Sequence, residues 1–215
     1  MITLNELTIG YDKPLMGPIN MTFEDGAVYG ILGKSGCGKS TLLKTVSKMI
    51  KPLSGSVQLD DDSRVYMMHQ RYTNFNWLTC VDNVLIAVRR KRDRKALRPV
   101  AEEILERVGL GEYMNRYPTE LSGGMQQRLA LARTLYVKPM YLLMDEPLSA
   151  LDDTTREKMQ KLILEVHNET NNTVLMVTHS LCEATKMCDY ILKLEKGGLE
   201  NAKISRTHGT GSHGV

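Results

Sequence analysis

The apolar positions of this chain follow two rhythms. Ile2 to Ile9 alternates apolar and polar residues, as does Ile19 to Phe23, so both predict strands with one buried face. Ala27 to Leu32, Met140 to Met144 and Val174 to Val177 are short continuous apolar runs, which predict strands buried on both faces. Longer segments with helical spacing lie between them: Thr41 to Met49, Val81 to Arg92, Pro99 to Val108, Gly124 to Tyr136 and Thr154 to Asn168. Buried strands alternating with helices predict an α/β fold with a largely parallel sheet. From about Thr79 to Arg133 there is no strand candidate, so a helical subdomain inserted into the sheet domain is expected there. The last eleven residues, 205–215, are mostly Gly, Ser, Thr and His, and are expected to form a disordered tail after a folded domain spanning 1–204.

Composition narrows the class. With 215 residues, 42% hydrophobic and 25% charged, the chain has a globular balance, which excludes a disordered, collagen-like or disulfide-stapled protein. The net charge of +3 is local: residues 89–98 carry seven basic residues against one acid, leaving the remainder at −3. Such a patch suits anionic lipid headgroups, an acidic loop of a membrane partner, or simply a solvated helix end. Without interleaved aromatic residues it is a poor match to nucleic acid. Cys37, Cys80, Cys182 and Cys188 form no CxxC pair or zinc spacing, which suggests a reducing compartment. Neither a signal peptide nor an apolar stretch of the ~20 residues that a membrane helix needs is visible, so a cytosolic chain is expected.

Two motifs carry chemistry. Gly33-Lys34-Ser35-Gly36-Cys37-Gly38-Lys39-Ser40 fits GxxxxGK[ST], follows the apolar run ending at Leu32 and opens the helix beginning near Thr41. Its glycines let successive N–H groups converge, and with the helix dipole these form an anion pocket. Lys39 would reach the β- and γ-phosphates and the Ser40 hydroxyl would ligate Mg²⁺. A glycine-rich turn with an incidental lysine is the plainer alternative, and the strand–loop–helix setting argues against it. Tyr141-Leu142-Leu143-Met144-Asp145-Glu146 adds a carboxylate pair after an apolar strand. Asp145 would orient Mg²⁺ and Glu146 could polarise an attacking water. These motifs point to a nucleoside triphosphate with magnesium, and leave a kinase, a GTPase and an ATPase all open.

The segment Leu121-Ser122-Gly123-Gly124-Met125-Gln126-Gln127-Arg128 resembles the LSGGQ signature of ABC-type ATPases, with Met125 where Gln is commoner. Gln70 is similar to the Q-loop glutamine, Ser149-Ala150-Leu151-Asp152 to the D-loop, His179 to the switch histidine, and Tyr11 to the aromatic residue that stacks on adenine, although a surface Tyr in a Gly-Tyr-Asp turn is the bland alternative. The resemblance implies a RecA-like P-loop core with a small antiparallel β lobe and an inserted helical subdomain. It further implies Mg-ATP bound by Tyr11, Gly33, Lys34, Ser35, Gly36, Cys37, Gly38, Lys39, Ser40 and Thr41. Ser122, Gly123, Gly124 and Asp152 would complete the site of a second subunit. Ser40, Gln70 and Asp145 would serve the metal, and Glu146, His179 and Gln70 the reaction.

As to partners, the resemblance implies a head-to-tail dimer with itself or a paralogue, a separate transmembrane permease, a possible solute-binding protein, and no nucleic acid. The chain would lie at the cytoplasmic face of the membrane. Lys34 departs from the family, which commonly has a neutral residue there, and it could simply point outward. Asn74-Phe75-Asn76-Trp77-Leu78-Thr79 is similar to nitrate-, sulfonate- and taurine-type importers, with Asn76 in place of their proline. The short segment between Gly55 and Gln70 predicts a trimmed antiparallel lobe. An exporter ATPase, or a soluble ABC ATPase acting on nucleic acid or ribosomes, stands as the competing class. The latter normally needs a long coiled coil or a second cassette, and the sequence carries neither.

Overall fold

The structure is a computed structural model, and it describes residues 1–61, 65–69, 74–86, 93–195 and 198–200. Two sheets organise it. The larger has six strands in the order β5 (Val65–Met68), β6 (Tyr141–Asp145), β7 (Thr173–Val177), β3 (Val28–Leu32), β8 (Tyr190–Glu195) and β9 (Gly198–Glu200). All of its pairings are parallel except β8 with β9. The smaller is antiparallel, in the order β2 (Pro14–Phe23), β1 (Ile2–Gly10), β4 (Ser54–Leu59).

The continuous apolar runs have a clear physical reason. Along β6, Leu142 and Met144 enter one core while Tyr141 and Leu143 enter the other; along β7, Val174 and Met176 part from Leu175 and Val177 in the same way. Successive strand residues point to opposite faces, so a sheet covered on both sides must be apolar at every position. One face meets α1 (Lys39–Val46) and the antiparallel sheet through Leu42, Leu43, Ile9 and Phe23. The other meets α2 (Cys80–Leu85), α3 (Arg94–Arg107), α4 (Gly123–Val137), α5 (Asp153–Thr170) and α6 (Leu181–Met187).

Among the described residues, every regular element between β5 and β6 is helical, including two short 3-10 turns at Gly111–Tyr113 and Pro118–Glu120. The expected elements shift in detail. The phosphate-loop helix starts at Lys39 rather than Thr41, because Gly38 takes φ +105° and turns the chain straight into it. β2 begins at Pro14, ahead of the alternating stretch from Ile19, because its pairing with β1 runs on to Gly10. Four elements carry no sequence signal that we read. β4 shows only half-buried Val57 and Leu59 among exposed residues, β9 has three residues, and α6 has seven with Glu183, Ala184 and Met187 buried. β8 is the fourth, with Lys193 exposed in mid-strand. The helix expected up to Arg92 is described as α2 to Leu85, and residues 87–92 lie outside the described ones, as does the tail 205–215.

Candidate functional site

Strand order decides the site. β6, β7 and β3 are neighbours, with Asp145 opposite Val177 and Val177 opposite Ile31. Adjacent strands lie ~4.8 Å apart, so the segments leaving these three ends are brought together: the loop from Gly33, the pair Asp145-Glu146, and Thr178-His179. Two further backbone bonds hold them, from Glu146 N to the Val177 carbonyl at 2.9 Å and from Thr178 N to the Ile31 carbonyl at 3.3 Å. This is the carboxyl edge of a parallel sheet, where α/β proteins bind ligands.

The loop 33–38 is shaped by close approach. A Cβ on Gly33 would lie 2.7 Å from Cys37 Sγ and 2.8 Å from the Leu194 carbonyl, so only glycine fits there. The Lys39 side chain is buried and curls back, its Nζ donating to the carbonyls of Gly33 at 2.8 Å and Lys34 at 3.0 Å. No side chain caps α1 and no acid stands in its first turn, whereas Thr79, Ser122, Asp152 and Ser180 cap α2, α4, α5 and α6. The helix that begins at the loop thus keeps its first-turn donors and positive end for an anion. Lys34 is exposed, and its charge joins that of Lys193 in holding the Glu195 carboxyl below the usual range. Residues 33–37 and 193–195 line a cavity of about 610 Å³. Tyr11 is exposed on the turn between β1 and β2; Ile9, just before it, lies 3.6 Å from where a Cβ on Gly38 would sit.

Burial pushes the Asp145 carboxyl above its ordinary value, a hydrogen bond with Ser40 works the other way, and Glu146 beside it adds a raising push. Ser40 and Asp145 therefore already face each other across the floor of the site. Glu146 adopts φ +50°, an uncommon conformation for a side-chain-bearing residue and one that clusters at functional sites. Its Oε1 lies 3.7 Å from His179 Nδ1, with the histidine side chain 68% exposed and the glutamate 20%. Gln70 lies outside the described residues.

Ser122 and Gly123 are exposed at the start of α4, and nothing lies within 4 Å of where a Cβ on Gly123 would project. Ser122 Oγ accepts from Met125 N at 3.3 Å. Gly124 packs under the next loop, its would-be Cβ 3.2 Å from the Ala150 carbonyl. Asp152 caps α5, and accepting from Thr155 N at 3.0 Å helps hold its carboxyl below the usual range. The structure brings Lys39, Ser40, Asp145, Glu146 and His179 to one edge of the sheet; Ser122, Gly123 and Asp152 are exposed at helix starts.

Several supporting residues had escaped the sequence reading. Glu183 accepts from Thr178 Oγ1 at 2.7 Å and faces Arg156 Nε at 3.5 Å, and Arg156 also donates to the Leu151 carbonyl. Gln127 is buried on α4 and bonds the backbone of the loop after Glu146. Its one available signal was polarity in step with apolar Leu131 and Leu135 on the buried side of a helix.

Residues 16–149 match the ABC transporter family. Over 183 residues the chain is 39% identical to the aliphatic sulfonates import ATP-binding protein SsuB 1 of Shouchella clausii, covering 85% of this chain and 72% of that protein. It is 38% identical over 189 residues to the nitrate import ATP-binding protein NrtD of Synechococcus elongatus, covering 83% and 69%. The bacterial ABC transporter cassette MJ0796, in a dimeric structure, superposes with a TM-score of 0.84 at 31% identity, covering 98% of this chain and all of that one. A dimeric post-hydrolysis state of the same cassette, bound to ADP and Pi, matches with the same TM-score and coverage at 28% identity. The chain belongs to the ABC transporter family.

Proposed function

We propose that this ABC family member is the ATP-binding and hydrolysing subunit of an importer, working as a head-to-tail pair on a separate transmembrane permease at the cytoplasmic face of the membrane. The observation that carries the reading is the convergence of Lys39, Ser40, Asp145, Glu146 and His179 at three adjacent strand ends. The relatives named for sulfonate and nitrate import support the importer half of it, and the dimeric cassette supports the pairing. We take residues 1–204 as one ATPase domain with a helical subdomain at about 79–133.

In this reading the loop 33–38 and the uncapped start of α1 bind the phosphates, Lys39 leaves its two carbonyls for the β- and γ-phosphates, and Tyr11 offers its ring to adenine. Glu146 orients and polarises water toward the γ-phosphorus; as the water oxygen bonds to phosphorus its proton passes by way of Glu146 to the departing inorganic phosphate, and the bond from the γ-phosphorus to the bridging oxygen breaks to release ADP. His179 supports the phosphoryl oxygens, within reach of Glu146. Ser122 and Gly123, with α4's positive end and the Asp152 loop, serve the partner chain's phosphates. Loss of the γ-phosphate would reopen the pair, a population shift the permease can read.

The residues fit magnesium. Ser40 and Asp145 pair in a buried spot, and Asp145 carries the strain of burial that a cation would relieve. Among the described residues no group of three His, Cys, Asp or Glu side chains could cage a metal, which suits an ion held mostly by phosphate and water. Ser40, Asp145 and Gln70 would hold it, and it would neutralise charge on the transferring phosphoryl group. The test is steady-state ATP hydrolysis by the purified chain with and without Mg²⁺, alongside affinity isolation from solubilised membranes. Metal-dependent turnover and a co-purifying multispanning protein are expected; no hydrolysis under any condition would reject the reading.

A further inference from the structure

The first turns of α4 and the backbone of Glu146 are tied together within one chain by a buried side chain. Gln127, the fifth residue of α4, is 1% exposed. Its Nε2 donates to the Glu146 carbonyl at 3.3 Å and its Oε1 accepts from Ala150 N at 3.0 Å. The partners set the amide's orientation, because a carbonyl can only accept and a backbone N–H can only donate. Leu offers neither group, Glu when ionised lacks the donor, and Asn is one methylene short. The carbonyl so engaged belongs to the residue at φ +50°, and Ser149 Oγ also donates to it, at 3.1 Å. One turn earlier, Gly124 lets α4 lie against Ala150 and Leu151. The loop 146–151 is thus gripped by the same helix whose first residues stand free at Ser122 and Gly123.

We propose that Gln127 is a positioning residue for catalysis: it holds the backbone of Glu146 in its left-handed conformation and so aims the carboxylate. The proposal rests on the ATPase reading above and deepens it. Since the start of α4 would serve the partner's nucleotide while Glu146 serves its own, Gln127 also makes each chain a rigid link between the two sites of a pair. A shift of α4 on meeting the partner's phosphates is passed to the loop after β6 through one hydrogen bond to Glu146 and one to Ala150. Gln127 touches no nucleotide, so its removal acts on the chemical step and spares binding.

The full chain, its Gln127→Leu variant and its Gln127→Glu variant are compared by steady-state ATP hydrolysis and by backbone hydrogen exchange. In Gln127→Leu, kcat should fall at least ~10-fold with KM for ATP within about twofold. Exchange at Ala150 N–H should rise at least ~10-fold, while amides of α4 and β6 keep their protection. In Gln127→Glu the ionised carboxylate faces the Glu146 carbonyl. Burial raises the pKa of such a group, and once protonated it can donate again. The ratio of variant to wild-type kcat should therefore rise as pH is lowered from about 8 to 6, a response that mere loss of packing does not produce. A Gln127→Leu kcat within twofold of wild type, a loss confined to KM, unchanged Ala150 exchange, or a flat Gln127→Glu ratio would each overturn the proposal while wild-type turnover keeps the ATPase reading intact. A wild-type chain that hydrolyses nothing sinks the reading first and the positioning role with it, whatever the exchange data show.

Discussion

At the strand ends, five candidate site side chains come from three segments distant in sequence and answer to one another: Lys39 to loop carbonyls, Ser40 to Asp145, Glu146 to His179. At the start of α4, Ser122, Gly123 and Gly124 are consecutive, and the first two stand exposed with open space at Gly123. The described part of the first region is built by sheet topology and burial. The second is a capped, exposed helix end. On the proposed reading the first is a half-site and the second serves a partner, so they differ in what a mutation can reach: nucleotide binding lost at the first should appear in the isolated chain, damage to the second only in the pair.

The largest effect belongs to the self-contained region. Glu146→Gln keeps the shape and removes the charge, so kcat should fall by ~10²–10⁴-fold while ATP still binds. The ATP-bound variant should accumulate as a dimer on size-exclusion chromatography, since closure is intact and its release is not. Near-normal turnover would remove Glu146 from the role assigned to it.

Next come two variants that separate the regions directly. Lys39→Ala deletes a phosphate-directed charge and should weaken ATP binding by ~10–100-fold in the isolated chain. Ser122→Arg should leave that affinity within about twofold, yet abolish nucleotide-driven dimerisation and turnover. Equal loss of affinity in both, read by titration calorimetry, would mean that the start of α4 serves its own chain.

The two regions also differed in how far they could be read from sequence. The loop 33–40 and the pair Asp145-Glu146 declare themselves because their spacing is set by one strand, one turn and one helix. Ser122 to Gly124 is just as local, and its resemblance to a known signature did the rest. What holds these groups in place was not legible. Gln127, Arg156 and Glu183 act on carbonyls, a backbone N–H and a threonine that only the tertiary fold brings near. The left-handed backbone of Glu146 leaves no mark on residue type, because Glu is not favoured at positive φ. For similar reasons β4 and α6 escaped notice: pairing with β1 makes the one, and seven residues are too few for a helical period to show in the other.

The smallest effect tests the comparison from the side of stability. Asp145 is buried, and its carboxyl is raised above the usual carboxylate range chiefly by that burial. The fold therefore favours the neutral acid, and at neutral pH the charged form is a standing cost of the nucleotide-free chain. Asp145→Asn keeps the shape and the ability to bond Ser40 without the charge, so it should raise Tm in thermal unfolding at neutral pH. The sign fixes the pH dependence. As pH falls through the raised native value toward 3.8, the folded chain takes up its proton before the unfolded one, wild type recovers stability, and the advantage of Asn closes. With Mg²⁺ and ATP the order should reverse, because the carboxylate then has a cation to face and the amide does not. Ser122→Ala, at the exposed start of α4, should instead cost about 1 kcal/mol through its lost cap, with no pH dependence in the same range. An Asn variant no more stable than wild type at neutral pH would show that the site at the strand ends is not held at the expense of the empty fold.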